Sequence, residues 1–593
     1  MNWLPIAILA VPLLGALAAL AGRNGPGSAR VLRWHSLAVS AVTFVLTVLL
    51  AATFDHGDAA RMQFVTDLPW IPGLAIHFHL GVDGISLPLV VLTSLLTLLC
   101  FVYLAGTGSP RPRALVFALL LLEVGMLGTF LALDLLLFFV FFEVVLIPMY
   151  FVIAIWGGQG RRAAAVKFIL YTLLGSVILL LGLLLVWAQT GTLDMVALAR
   201  TPGAGMTRAA QVLAFVAIGL GLAVKTPMWP LHTWLPDAHT EAPTVGSVLL
   251  AGVLLKMGTY GFARIAIPIL PEGAAAVAPW LGAFAVVGII YGALACLAQR
   301  DLKRMIAYSS VGHMGFVLLG FATLTPVGIN AALFGNIAHG LITGLLFFLA
   351  GAIKDRYGTA DMPSMGGGML TRIPRLGALL TFACIASLGI PGLAGFWGEM
   401  LALLGAFTPG PGLPRPLYLV FMALGGIGAV LTAAYFLIML SRTTHGPTTA
   451  LATSAPDSAD TATLPVAGAS AETVAFAGVS SPVQGSASTS SDPPLIGTVE
   501  AGPGAVAPPS SPGTAVPPDP AASAPGWDVG EGSGAGSADS GGLPEAGGSM
   551  PDVRGFELAA WVPLIALIVL LGLWPKALLL LTTPAVQAIL GTP

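Results

Sequence analysis

The sequence predicts an all-α polytopic membrane protein with about fourteen transmembrane helices. Three observations lead there. Hydrophobic residues make up 56% of the 593-residue chain and charged residues only 9%, against roughly a quarter in an average soluble domain. The mean hydropathy is +0.91, so most of the surface needs an apolar solvent. The apolar residues also come in runs of about twenty, the length that carries a helix across a bilayer. Barrel strands would alternate apolar and polar residues, and these runs do not. A net charge of −2 gives no electrostatic footing for a nucleic-acid partner.

Runs long enough to span occur at about 3–21, 31–52, 85–105, 114–132, 135–156, 165–187, 211–229, 244–269, 278–298, 305–322, 331–353, 376–406, 417–440 and 557–575. The first, in MNWLPIAILAVPLLGALAALAGRNG, lacks the basic start of a signal peptide, and Arg23 follows it. It is expected to be a retained first helix. Basic residues in the loops set the orientation. Arg23, Arg30 and Arg33 fall in the first loop, Arg111 and Arg113 in the third, and Arg161 and Arg162 in the fifth. Arg300, Lys303 and Arg304 fall in the ninth, and Lys354, Arg356, Arg372 and Arg375 in the eleventh. Even loops carry fewer, namely Arg61, Arg200, Arg208 and Arg415. Odd loops are therefore expected in the cytoplasm and the N-terminus outside.

Residues 443–553 break the pattern. They are rich in Pro, Ala, Ser, Gly and Thr and carry Asp457, Asp460, Glu472, Glu500 and Glu531. Such a composition buries too little apolar surface to offset its ordering entropy, so a disordered acidic cytoplasmic insertion is expected between helices 13 and 14. Cys100, Cys296 and Cys384 lie inside apolar runs with no CxxC spacing, which argues for packing residues and against disulfide, iron–sulfur or zinc chemistry.

The apolar runs contain ionisable residues that cost roughly 2.5–3.5 kcal/mol each at mid-membrane. Glu123 lies in ALLLLEVGMLGTF, Glu143 in LLLFFVFFEVVLIPMY, Lys225 in GLGLAVKTPMWP, Lys256 in VLLAGVLLKMGTYG and Glu399 in SLGIPGLAGFWGEM. His313 and His339 lie in the tenth and eleventh helices. Acids, lysines and histidines in series are what a proton relay needs, because each hop requires a neighbour able to accept and release. The competing reading is a set of static ion pairs, but apolar packing often replaces such pairs at no loss of stability.

Two helices are expected to be broken. Pro227 and Pro230 follow Lys225 in helix 7 and leave the carbonyls of Ala223 and Thr226 without their helical donors. In helix 12, Pro391 does the same to Ser387, with Gly389, Gly392 and Gly395 around it and Glu399 beyond. Interrupted helices at matching places in two halves point to an ion path built on an internal repeat. Helices 4–8 (114–270) and 9–13 (271–442) are the expected five-helix inverted repeats, after helices 1–3 (1–113) and before the insertion and helix 14 (554–593). His232, Asp237, His239 and Glu241, in PLHTWLPDAHTEAPT, lack HExxH spacing. They read as loop structure near the surface at a helix junction, not as a metal site. There is no P-loop and no GxGxxG after a strand.

The strings GVDGISLPLVVLT, FFVFFEVVLIPMYFVIAIWG, VKTPMWPLHTWLPDAHTEAPTVGSVLLAGVLLKMGTYG and DLKRMIAYSSVGHMGF resemble the antiporter-like membrane subunits of respiratory NADH–quinone oxidoreductase (complex I) and of Mrp-type cation/proton antiporters. The resemblance runs from the first helix to about Arg442 and resumes at the last helix. It implies a proton-translocating subunit of a bacterial inner (plasma) membrane complex, with no cofactor of its own. FMN, iron–sulfur clusters and quinone would sit on partner subunits. It also implies roles for individual residues. Glu143 and Lys225 would be the coupled pair of the cytoplasmic half-channel, Lys256 the central relay, His313 and His339 the polar axis, and Glu399 the outer relay. Glu123 matches a further acidic position. Glu399 where L- and N-type members tend to have lysine, and an end soon after helix 14, resemble the M-type branch, whose neighbours would be L- and N-type subunits. GLAGFWGEM departs from relatives that often have Asn before Phe, and the insertion departs too. An Mrp-type sodium/proton antiporter or a membrane-bound hydrogenase is the alternative assembly.

Overall fold

The computed structural model describes residues 2–21, 28–74, 76–446 and 550–591. The expected acidic insertion lies outside them apart from its two ends. Among the described residues, thirteen helices are long and apolar enough to cross a membrane. They are α1 (Leu4–Ala21), α2 (Ser28–Thr53), α3 (Ser86–Thr107), α4 (Pro112–Leu131), α5 (Leu135–Trp156), α6 (Arg161–Thr190), α7a (Arg208–Lys225), α8 (Thr244–Ile269), α9 (Pro271–Leu297), α10 (Leu302–Ala322), α11 (Pro326–Tyr357), α13 (Arg415–Thr443) and α14 (Gly555–Leu573). The run expected over 376–406 is two short helices, α12a (Pro374–Ser387) and α12b (Ala394–Phe407). Together they make the fourteenth crossing.

The outer helices show apolar side chains on the surface, among them Leu14, Val31, Leu174 and Val430, as a lipid-facing layer requires. The inner ones do not. The apolar window of α8 is wholly buried, and α10 and α11 are 89% and 94% buried. These three helices carry Lys256, His313 and His339, so the charges sit in the middle of the bundle.

Helix α7a stops at Lys225, and the chain restarts as α7b (Trp234–Glu241). The Ala223 carbonyl, which loses its usual donor to Pro227, accepts from the Met228 amide at 3.0 Å, and Trp234 Nε1 donates to Val224 at 2.9 Å. Between α12a and α12b, Gly389 (φ 74°) and Gly392 (φ 97°) take left-handed conformations that L side chains resist. Helix α8 holds two π-type stretches, Leu250–Leu254 and Phe262–Ala266. Helix α5 is interrupted at Val145, between Leu135–Val144 and Leu146–Trp156.

Two short bridges match. Leu135 donates to Leu193 and Met195 to Leu133, while Leu302 donates to Ala360 and Met362 to Arg300. The aspartates at their centres, Asp134 with Asp194 and Asp301 with Asp361, each cap a helix start. The second bridge lies 167 residues after the first (134 to 301 and 194 to 361).

Two elements were not expected. Residues Gln63–Ile71 (β1) and Ile76–Val82 (β2) form an antiparallel hairpin in the second loop. Helix α15 (Lys576–Leu590) follows α14 and buries Leu578, Thr582, Ala585 and Val586. One expectation is corrected. Within the segment from His232 to Glu241 the two histidines are buried, at 2% and 0% exposed, whereas the Asp237 side chain stays 31% exposed and pairs with Lys167 and Arg304. The proline breaks turn α7b inward, where Trp234 packs against Phe168 and His239 stacks on Phe347 at 4.4 Å. Lys303, read above as a loop residue, is also buried and donates to the Ala242 carbonyl at 2.8 Å.

Candidate proton path

Four of the expected residues join into one chain. Lys256 is completely buried, two residues past the first π-type stretch of α8. Its ammonium donates to the Ala251 carbonyl inside that stretch and meets His339 Nδ1 at 2.6 Å. The His339 ring centroid lies 5.7 Å from that of His313. His313 Nδ1 contacts Glu399 Oε1 at 3.0 Å, and its Nε2 contacts Ser387 Oγ at 3.0 Å. Ser387 ends α12a and Glu399 lies in α12b, so the break brings both to one imidazole.

His313, His339, Ser387 and Glu399 share a cavity with about 30 Å³ of water-accessible space. One water needs roughly 10–15 Å³ by that measure. The cavity therefore has room for a water that links the two imidazoles, which meet edge to face. Thr259 Oγ1 bonds Asn336 Oδ1 at 3.0 Å one turn from Lys256 and adds polar lining.

The first half is arranged differently. Lys225 is 2% exposed. Its ammonium donates to the Phe142 carbonyl at 3.2 Å and lies 4.2 Å from the centroid of that ring. Glu143 is the next residue, yet the pair is not in ion-pair contact here, and Glu143 Oε1 has no hydrogen-bond partner among the described residues. Glu123 is fully buried in α4 with no hydrogen-bond partner for either oxygen among the described residues, and it is not joined to the other groups.

The sequence model described as NADH:quinone oxidoreductase/Mrp antiporter, TM matches residues 132–441, the stretch that holds every expected path residue except Glu123. The chain belongs to that family. Subunit M of NADH-quinone oxidoreductase from Rhodobacter capsulatus is 42% identical over 455 residues, covering 75% of this chain and 85% of that one. NADH-ubiquinone oxidoreductase chain 4 of Marchantia polymorpha is 38% identical over 74% of this chain and 86% of its own length. A chain of respiratory complex I from Thermus thermophilus superposes with a TM-score of 0.72 at 26% identity, covering 99% of both. A chain of the Mrp complex from Dietzia superposes equally well (TM-score 0.73, 22% identity, 99% and 97% covered), a likeness of fold.

The buried polar groups of this family member include some that the sequence reading set in loops and some that it did not single out. His239 is buried with no hydrogen-bond partner among the described residues for either ring nitrogen, and it feels the charges of both Lys303 and Lys256. Arg264 and Asp83 form a buried pair at 2.5 Å, with Arg264 Nε also donating to Tyr260. The signal for Arg264 was available: it is a charge inside the apolar run 244–269. Lys303 and His239 gave none, since both stand in polar loop-like strings.

Proposed function

We propose that this chain is the M-type proton-translocating membrane-arm subunit of an NADH–quinone oxidoreductase. The observation that carries the reading is the succession Lys256, His339, His313 and Glu399, the first three on the most buried spans α8, α11 and α10 and the last on α12b. Its relatives named subunit M and chain 4 support the respiratory assembly. As such a subunit the chain takes part in an oxidoreductase that translocates protons. NADH oxidation and quinone reduction belong to other subunits, which carry FMN, the iron–sulfur clusters and the quinone. L- and N-type subunits would flank this chain in a bacterial inner membrane, with its N-terminus periplasmic and 443–553 cytoplasmic.

On this reading each residue has a role. Glu143 draws Lys225 off the Phe142 carbonyl when the neighbouring assembly shifts charge or conformation. Closing of that pair raises the proton affinity of Lys225, and opening lowers it. Lys256 receives the proton at the centre and passes it to His339. Water in the shared cavity carries it to His313 and Glu399, on the way out. Glu123 supplies a further buried acid on α4. The matched aspartate bridges support the division into repeats 114–270 and 271–442.

The test is NADH-driven quinone reduction and proton uptake in inverted membrane vesicles, with Glu143→Ala compared with wild type after assembly is confirmed. Loss of both activities is expected. Unchanged activities would remove Glu143 from the path and favour a structural scaffold. An Mrp-type antiporter or membrane-bound hydrogenase shares the relay. Co-purification of small antiporter subunits or a hydrogenase module, in place of NADH-oxidising subunits, would replace the respiratory reading.

A further inference from the structure

The face that the basic residues assign to the cytoplasm holds a hollow between the α3–α4 and α5–α6 connections. Its volume is about 440 Å³, and Arg111, Arg161 and Arg162 line it together with Pro110 and Trp156. Its three guanidinium-bearing residues are all exposed. Glu241, which accepts from the Gly160 amide at 2.9 Å, does not line the hollow.

The walls are built, not incidental. Trp156 Nε1 donates to the Pro110 carbonyl at 2.6 Å and ties the two connections together. Arg111 holds a left-handed backbone (φ 48°) just before Pro112, a conformation that bulky residues avoid. Arg161 Nη1 donates to the Gly157 carbonyl at 3.1 Å. Below the hollow, toward the bilayer centre, Phe151 and Ile147 on α5 and Val166 and Leu170 on α6 are exposed apolar side chains. A headgroup seated among the arginines would have its acyl chains run down that strip.

We infer that this hollow is a binding site for the phosphate headgroup of an anionic phospholipid. Basic pockets between transmembrane helices on the cytoplasmic side suit such headgroups, and guanidinium is the side chain best matched to phosphate oxygens. A tryptophan at the same level belongs to the interfacial belt. The position of the site, at the loop that follows the Glu143 helix, means its occupant bears on the end of α5. The inference does not depend on which complex contains the chain.

The test uses the intact purified complex, stripped of lipid in detergent. Dioleoylphosphatidylglycerol and dioleoylphosphatidylcholine are added back in mixed micelles, and bound lipid is counted by native mass spectrometry. The variant is Arg111→Gln/Arg162→Gln, which keeps the Arg161–Gly157 bond. Each basic residue near a membrane surface contributes about fivefold to the binding of anionic lipid. The wild type should prefer phosphatidylglycerol, and the double variant should lose that preference by roughly 25-fold. Arg375→Gln/Arg442→Gln, which removes two basic residues of the same face that line no part of the hollow, should keep it. Were the double variant to fail to assemble, Arg162→Gln alone should show about a fivefold loss. An unchanged preference overturns the inference. So does displacement of the bound lipid count by millimolar inorganic phosphate, which marks a site for free anions. Loss of a neighbouring subunit with the lipid preference intact would assign the patch to a protein interface instead.

Discussion

Replacing Lys256 by arginine separates a proton relay from a fixed buried charge. Lys256 is fully buried, and its ammonium is held by the Ala251 carbonyl and by His339 Nδ1 at 2.6 Å. Arginine keeps a positive charge and donors for both acceptors, so a purely structural role survives the exchange in kind. A relay must release its proton on each cycle. An ordinary guanidinium holds its proton at least about two units more tightly than an ordinary ammonium, which makes release at least roughly 100-fold rarer. Proton uptake in inverted vesicles driven by NADH should therefore fall to about 1% of wild type or below. Lys256→Met should fall as far, because thioether sulfur carries no proton, while leaving His339 Nδ1 without its donor costs only about 1–3 kcal/mol. Complexes are matched by subunit content on native gels before rates are compared. An arginine variant that pumps at more than half the wild-type rate would refute the reasoning. Loss in the arginine variant beside full activity in the methionine variant would trace the effect to side-chain size.

Three further outcomes are expected. Glu399→Gln keeps a partner for His313 Nδ1 at 3.0 Å but removes the titrating oxygen, so proton uptake should drop at least about tenfold, within the range typical of a lost acid–base group, in a fully assembled complex. Arg356→Ala breaks the pair with Glu557, whose side chains are both 2% exposed, and leaves the buried carboxylate with the Arg554 amide as its remaining donor. It should cost about 3–5 kcal/mol of local stability, seen as early release of α14 in limited proteolysis or a lower thermal midpoint. Replacing 447–549 with about twelve Gly/Ser residues, which span roughly 20 Å, should leave assembly and activity intact. The flanks are already anchored close together in sequence on one connection: the Thr444 carbonyl accepts from Leu370, and the Asp552 carboxylate accepts from Arg375 and Leu376.

How far the sequence could be read depended on whether the signal was local. Apolar length gave the crossings, because a spanning helix satisfies its own backbone and needs no distant partner. Proline and glycine gave both broken helices for the same reason. The π-type turns beside Lys256 left no trace, since they arise from packing in a helix buried all round. The β-hairpin did leave one: Ile76, Phe78, Leu80 and Val82 alternate with His77, His79 and Gly81, a period of two that the search for long runs passed over. Helix α15 was too short to register as a span. Lys303 was misassigned because counting basic residues in loops gives a side, not a depth.

On the proposed path, the irregular backbone accounts for the use of lysines. Each charged group on it stands beside a helix defect: Glu143 at the α5 interruption, Lys225 at the end of α7a, Lys256 after a π-type stretch, Glu399 after the α12 break. A regular helix uses its carbonyls internally, so only a defect exposes one to a buried ammonium. The Phe142 and Ala251 carbonyls, which receive Lys225 and Lys256, both lie at such defects. Neither lysine is in an ion pair among the described residues, whereas the buried ion pairs use arginine: Arg264 with Asp83 and Arg356 with Glu557. The difference is chemical. A guanidinium stays charged in any protein setting, and a carboxylate beside it makes a fixed strut. An ammonium on a neutral carbonyl is solvated but not neutralised. It can lose its proton without stranding a bare carboxylate, and for Lys256 the remaining amine sits beside the His339 imidazole. Static struts would have placed the lysines on carboxylates. Their seating on backbone carbonyls is the arrangement in which both protonation states are tolerated, and that tolerance is what a relay needs.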